Sequence, residues 1–256
     1  MITSASNPKI KLVRALQARR GERKSEQAFV VEGLRLAEEA IRAEVPARLV
    51  LHTDHLDGRG RAAVNQLARL GATVETVSPE VMAAASDTQT PPGLLAVLAL
   101  PATTVPKKLT WALVLDRLAD PGNLGTVLRT ASAAGVQAVY LAPGTVDAYN
   151  PKVVRAAAGA HFHLPIVESN WGDIASALVR LTLWRAEAHA GTPYDQVDWR
   201  QPSGLVIGSE AAGPGDAAQR LAPEAVRIPM PGKAESLNAA IATAVLLFEA
   251  ARQRKK

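Results

Sequence analysis

Three short stretches hold most of the residues in this 256-residue chain whose types and spacing suit chemistry. Residues 116–131 read DRLADPGNLGTVLRTA, residues 206–215 read VIGSEAAGPG, and residues 227–240 read RIPMPGKAESLNAA. Each follows an apolar run and sets Gly or Pro beside a few polar side chains. Turns account for the Gly and Pro. They do not account for Asn123, Arg129, Glu210, Ser236 and Asn238 all falling at expected strand ends or helix starts, where small-molecule sites are usually built. Other nucleotide chemistries fail on spacing. There is no G-x-x-x-x-G-K-[ST], and no G-x-G-x-x-G between the first strand and helix, so neither a P-loop nor the usual dinucleotide fingerprint applies. The absence of cysteine excludes disulfides, thiolate zinc sites and cysteine nucleophiles. His52 with His55, and His161 with His163, form close pairs, but no third ligand stands at a suggestive spacing and no metal is expected.

The elements that must position these clusters are legible from apolar periodicity. In the second half, strands are expected at 112–115, 137–141, 164–167, 181–186, 205–208 and 226–228. Asp120 followed by Pro121 predicts a helix N-terminus, with the helix running to about residue 134. A last helix is expected over 233–252, its apolar face made by Leu237, Ile241, Val245 and Phe248 and docked on the sheet; Ser236 and Asn238 stand as candidate caps. Strands alternating with helices imply a parallel, doubly wound sheet with ligands at the carboxyl ends of its strands. Before a connector at 101–110 (PATTVPKKLT), strands at 28–31, 48–51, 73–77 and 94–98 with helices at 33–43 and 61–70 predict a smaller α/β module. His161 and His163 are expected near a strand start, one inward and one outward.

Charge points to a polyanion. The chain has 29 Lys and Arg against 24 Asp and Glu. Lys9, Lys11, Arg14, Arg19, Arg20, Arg23 and Lys24 fall in the first 24 residues against one acid, Glu22. The basic end, Arg252, Arg254, Lys255 and Lys256, is expected to be a solvated, frayed tail. Aromatics at 4% disfavour recognition by rows of stacked bases. With no apolar run of about 20 residues and no secretory signal, a cytoplasmic protein is expected.

Taken together, the three clusters resemble the signature motifs of the SpoU/TrmH-type RNA 2′-O-ribose methyltransferases of the SPOUT superfamily. D-P-x-N-x-G-x-x-x-R-T-A is matched by Asp120, Pro121, Asn123, Gly125, Arg129, Thr130 and Ala131. G-x-E-x-x-G is matched by Gly208, Glu210 and Gly213. I-P-M-x-G-x-x-x-S-L-N is matched by Ile228, Pro229, Met230, Gly232, Ser236, Leu237 and Asn238. Order and distances agree, the likeness spans roughly residues 109–251, and 152–165 (KVVRAAAGAHFHLP) also fits. The N-terminal part resembles, more loosely, the ribosomal-protein-like substrate-binding module of many members, through Ser6, Asn7, Lys11, Leu16, Phe29, Glu32 and Gly33.

The resemblance implies an α/β chain with an RNA-binding domain over 1–100, a linker at 101–110 and a methyltransferase domain over 111–256 whose parallel sheet closes a deep trefoil knot. It implies S-adenosylmethionine bound by Gly208, Ile228, Met230, Ser236 and Leu237, with the 186–191 loop, including Ala188 and His189, closing over the adenine. Methyl displacement by a ribose oxygen needs no metal. Asn123, Arg129, Glu210, Ser236 and Asn238 are the implied catalytic set, Arg129 acting either as base or as a phosphate clamp, since a guanidinium stays protonated. RNA would be held by the N-terminal cluster and Arg129. The separate first module favours ribosomal over transfer RNA, and a homodimer is implied. The alternative from another class is an RNA-binding or antibiotic-resistance factor in which methylation is lost or secondary; the retained Asn123, Arg129, Glu210 and Asn238 argue against loss.

Overall fold

The computed structural model describes residues 1–102, 104–210 and 212–255. Thr103 of the connector, Ala211 of the second cluster and the basic Lys256 lie outside the described residues. The elements begin with α1 (Pro8–Ala18), α2 (Arg20–Glu26), β1 (Ala28–Glu32), α3 (Leu34–Arg42), β2 (Ala47–His52), α4 (Gly58–Arg69), β3 (Thr73–Thr76), α5 (Pro79–Ala85) and β4 (Leu94–Ala99). They continue with β5 (Trp111–Leu115), α6 (Pro121–Ala133), β6 (Ala138–Leu141), α7 (Pro151–Ala157), β7 (Ile166–Glu168), α8 (Trp171–Leu178) and β8 (Thr182–Ala186). The chain ends with β9 (Thr192–Pro193), β10 (Ser203–Ile207), α9 (Asp216–Leu221), β11 (Glu224–Arg227) and α10 (Ala239–Arg254). No helix among the described residues is long and apolar enough to cross a membrane. Two compact units form, the first from Met1–Ala102 and Tyr149–Phe162, the second from the rest.

The first unit is built on a four-stranded sheet in the order β1-β4-β2-β3, with β4 antiparallel to both its neighbours. Successive side chains alternate between faces. Phe29, Val31, Val50, Ala96 and Leu98 enter one core, and Val30, Leu49, Leu51, Leu95 and Val97 the other. Burial on both faces explains why these strands read as continuous apolar runs. Residues 149–162, expected in the second module, belong to the first core. Tyr149 meets Phe29 edge-on at 5.0 Å, and Arg155 donates to Asp87 at 2.9 Å. His161 is buried and His163 exposed, but His161 lies within a 3-10 turn at Ala160–Phe162 and His163 just after it, rather than at a strand start.

The basic N-terminal cluster divides. Lys11 and Arg14 are exposed one turn apart on α1 and have no partner among the described residues. Arg20 and Lys24 are exposed, Lys9 pairs with Glu75, and Arg19 approaches Glu22 at 3.5 Å. Arg23, expected to touch RNA, is only 4% exposed and donates to the carbonyls of Leu16 and Gln17. It closes the C-terminal end of α1, where four carbonyls lack helical partners.

The second unit is a seven-stranded sheet in the order β7-β6-β5-β10-β8-β11-β9, parallel throughout. One face buries Ala112, Val114, Tyr140 and Val206 against Ile174 and Leu178 of α8. Val105 and Leu109 of the connector also pack on this core. Asp120 caps α6 by accepting from the Asn123 N–H at 2.7 Å, with Pro121 in the first turn, as expected. The last helix begins at Ala239, not at 233. Asn238 caps it, its Oδ1 accepting from Ala240 N at 2.9 Å and Ile241 N at 3.3 Å, and Ser236 lies in the preceding loop.

The face of α10 is also corrected. Ala240, Thr243, Leu246, Leu247 and Ala250 are buried, and the helix packs on α6. Of the expected docking stripe, Ile241 (55%) and Phe248 (52%) are exposed, Val245 is half-buried, and Leu237 (37%) stands ahead of the helix. Apolar residues lie on both sides of this helix, so periodicity alone could not choose the inner one. Nor is the C-terminal end of α10 frayed. Arg254 lies 4.7 Å over the Trp111 ring and donates to the carbonyls of Thr110 (3.1 Å) and Gln201 (2.7 Å). Burial pulls its pKa below the ordinary arginine value.

Removing the Arg23 head would orphan buried carbonyls, each worth about 1–3 kcal/mol. Arg23→Met is expected to lower stability by roughly 2–3 kcal/mol, and Arg14→Ala by less than about 0.5, in chemical denaturation followed by circular dichroism.

Candidate functional site

The carboxyl ends of β8, β10 and β11 open into a cavity of about 380 Å3, within the usual range for small-ligand sites. The loops after these strands form its walls. Ala186 ends β8 and Glu187, Ala188 and His189 follow it; Gly208, Ser209 and Glu210 follow β10; Ile228 and Met230 follow β11. Ser236 and Leu237 close it ahead of α10, whose first turns add Ala239, Ala242 and Leu246. All seven residues singled out for the cofactor, Ala188, His189, Gly208, Ile228, Met230, Ser236 and Leu237, therefore line one cavity.

Two glycines set its shape. A Cβ on Gly208 would penetrate the backbone of Gly213 and Pro214, so the loop folds back on itself only because that atom is missing. Gly191, at φ 106°, runs against the backbone of Ala225 in the same way and fixes the far end of the 186–191 loop. The lining combines Ile228, Met230 and Leu237 with the acidic residues Glu210 and Glu235, and with Glu187, whose carboxylate pairs with Arg185 at 3.0 Å. Apolar surface beside several acidic groups suits a ligand with an aromatic part and a positive charge, which S-adenosylmethionine has.

Beside the cavity the three clusters meet in a hydrogen-bonded chain. Asn123 Nδ2 donates to Glu210 Oε1 at 2.9 Å, and its Oδ1 accepts from Asn238 Nδ2 at 3.0 Å. Each cluster contributes one member, and Asn238 is at once the cap of α10. Beneath, Asp116 at the end of β5 is 2% exposed and accepts from the Gly215 N–H at 2.7 Å, holding the first and second clusters together.

Arg129 is not brought to the cavity. It is exposed on α6, six residues after Asn123 and so roughly 120° around the helix, and it has no partner among the described residues. Thr130 and Ala131 of the same motif serve the fold: Thr130 Oγ1 donates to the Thr126 carbonyl at 2.8 Å, and Ala131 is fully buried. Reading by motif passed over Glu187 and Glu235, which lie in the right loops but outside the matched positions. Their carboxylates beside an apolar strand end were the available signal. Among the described residues no group of three His, Cys, Asp or Glu is placed to hold a metal.

Comparison with known proteins follows the same division. A model of the SpoU rRNA methylase family matches residues 110–248, and one of the MRM3-like substrate binding domain matches residues 7–96. The 23S rRNA (guanosine(2553)-2′-O)-methyltransferase RlmP of Bacillus subtilis is 33% identical over 96% of this chain and 97% of its own. The 23S rRNA (uridine(2479)-2′-O)-methyltransferase of Streptomyces viridochromogenes is 32% identical over 98% and 92%. The crystal structure of the SpoU methyltransferase AviRb from Streptomyces viridochromogenes, in complex with the cofactor AdoMet, superposes with a TM-score of 0.88 at 30% identity, covering 97% of this chain and 98% of that one. With its motifs, fold and near full-length relatives in agreement, the chain belongs to the SpoU rRNA methylase family.

Proposed function

We propose that this chain is an S-adenosylmethionine-dependent methyltransferase that modifies a ribose 2′-hydroxyl in ribosomal RNA. The observation that carries the reading is the Glu210–Asn123–Asn238 chain beside a cavity lined by all seven expected cofactor residues. The AdoMet-bound relative supports the cofactor, and the 23S rRNA relatives and the matched substrate-binding domain support the RNA class. Those two relatives act on different bases, a guanosine and a uridine, so the shared property is the sugar chemistry. A ribosomal substrate implies a cytoplasmic enzyme.

When bound, S-adenosylmethionine supplies a methyl group already activated by a sulfonium charge. The chain's own work is to orient and to accept charge. Gly208 lets the backbone approach the ligand, Ile228, Met230 and Leu237 bury its apolar parts, and Ala188, His189 and Ser236 close the remaining sides. The fixed amide of Asn123 and the carboxylate of Glu210 orient the ribose at the cavity rim, with Ser236 and Asn238 holding the loop opposite. Arg129 keeps its proton, so its role in this reading is to grip the phosphate next to the target ribose, whose oxygen takes the proton lost from the 2′-hydroxyl. In this proposal the family's trefoil knot closes where the last strand and helix, β11 and α10, tuck through an earlier loop.

Ile241 and Phe248, exposed seven residues apart on one side of α10, support a homodimer, since apolar surface left open in this way marks interaction sites. Lys11 and Arg14 are the N-terminal cations best placed for RNA.

Two outcomes are expected. Arg129→Ala loses at least a hundredfold in methyl transfer while calorimetry finds S-adenosylmethionine binding within twofold of the unsubstituted chain; full activity in that variant would sink its assigned role. Phe248→Glu converts a dimer to a monomer in light scattering, and a monomeric unsubstituted chain would contradict the assembly.

A further inference from the structure

Four non-glycine residues among those described adopt a left-handed backbone: Gln27, Glu44, Arg117 and Ala158. Gln27 and Ala158 cap the ends of α2 and α7, and Glu44 follows the cap of α3, where a left-handed residue is the ordinary way to stop a helix. Arg117, at φ 56°, has no helix to terminate. It lies two residues past the end of β5, in a conformation that a glycine or asparagine adopts at lower cost. Strain of this kind concentrates at functional sites.

Its place is specific. The chain winds from β5 outward through β6 to β7, then returns to build β8, β10 and β11 on the other side, with β10 next to β5. The winding therefore reverses between β5 and β10, and ligands of such sheets bind in the crevice outside the carboxyl ends at that point. Arg117 stands just past the carboxyl end of β5, its side chain against Gly215 of the loop that follows β10.

The side chain runs in a lane that two glycines leave open. A Cβ on Gly144 would come within 2.9 Å of Arg117 Cγ, and one on Gly215 within 2.9 Å of Arg117 Cζ. The backbone N–H is held by Thr145 Oγ1 at 3.0 Å, and Nε donates to the buried Asp116 at 3.2 Å. Nε is thus spoken for, while the two Nη groups make no hydrogen bond among the described residues and the side chain is 46% exposed. Neutralising Asp116 needs only a cation; it does not need a strained turn that presents the outer edge of a guanidinium to solvent.

We infer that Arg117 is a positioning residue for the RNA: its Nη groups bind a phosphodiester of the strand that carries the methylated ribose. This rests on the RNA methyltransferase reading and adds to it a second phosphate grip besides Arg129.

The test compares the full chain with Arg117→Gly and Arg117→Lys, using unmodified 23S rRNA transcript. RNA Kd is measured by filter binding across a salt series, and S-adenosylmethionine Kd by calorimetry. Arg117→Gly is expected to weaken RNA binding about tenfold and to reduce the salt slope by about one. S-adenosylmethionine Kd stays within twofold. Arg117→Lys keeps the cation beside Asp116 and restores the slope, yet binds severalfold more weakly because the planar fork is lost. Unchanged RNA affinity and slope in both variants would overturn the inference. So would a loss of RNA affinity matched by an equal loss of cofactor affinity with the slope intact, which is the mark of a merely structural role. Filter binding requires no methyl transfer, so RNA binding without transfer by the unsubstituted chain would count against the functional reading alone.

Discussion

The side-chain amide of Asn123 is the constraint on which the site depends. It donates to Glu210 and accepts from Asn238 at once, and an amide does so through two separate, fixed atoms, as neither a hydroxyl nor a carboxylate can. An aspartate would set two carboxylates against each other. The two bonds join segments 87 and 115 residues away in sequence, so interactions of about 0.5–1.5 kcal/mol each tie together the loops after three different strands. Asn238 passes the constraint on, because the same side chain starts α10, and α10 in turn supplies the cavity wall at Ala239, Ala242 and Leu246.

Around that link the chain gives up conformational freedom in a few places. Gly208 lets its loop fold back within van der Waals distance of Gly213 and Pro214, and Gly191 does the same against Ala225. Asp116, buried at the end of β5, binds the Gly215 N–H and so braces the first cluster against the second from below. The result is an arrangement in which irregular backbone, which is costly to bury unless its polar groups are satisfied, is confined to the carboxyl edge of a sheet that is otherwise regular and parallel.

How much of this could be read from the sequence depended on whether the signal was local. Asp120–Pro121 announces α6 because cap and first-turn chemistry are decided within four residues; the same pairing starts α1, α5 and α7 at Asn7–Pro8, Ser78–Pro79 and Asn150–Pro151, helices that the apolar periodicity did not mark. The strand runs at 94–98 and 112–115 were plain because both faces of each sheet are covered. The cavity residues came from motif spacing, which records function and not periodicity. What failed was tertiary. Whether Leu246 or Ile241 faces α6 is not written in a helix with apolar residues all round. Arg23 looked like its basic neighbours, and only the fold shows that it closes α1 instead of meeting a polyanion. Residues 149–162 carry methyltransferase-like sequence, yet their aromatic residues belong to the core around Phe29.

The central claim is the chemistry: a methyl group placed on a ribose oxygen, with the base left unmodified. A 2′-O-methyl group removes the nucleophile that drives alkaline cleavage of the adjoining phosphodiester. The most direct measurement is therefore alkaline hydrolysis of 23S rRNA transcript after incubation with the full chain and S-adenosylmethionine carrying a labelled methyl group. The account predicts label in a single alkali-resistant dinucleotide. Label recovered in a mononucleotide, which marks a methylated base, or no label in the RNA at all, would contradict it.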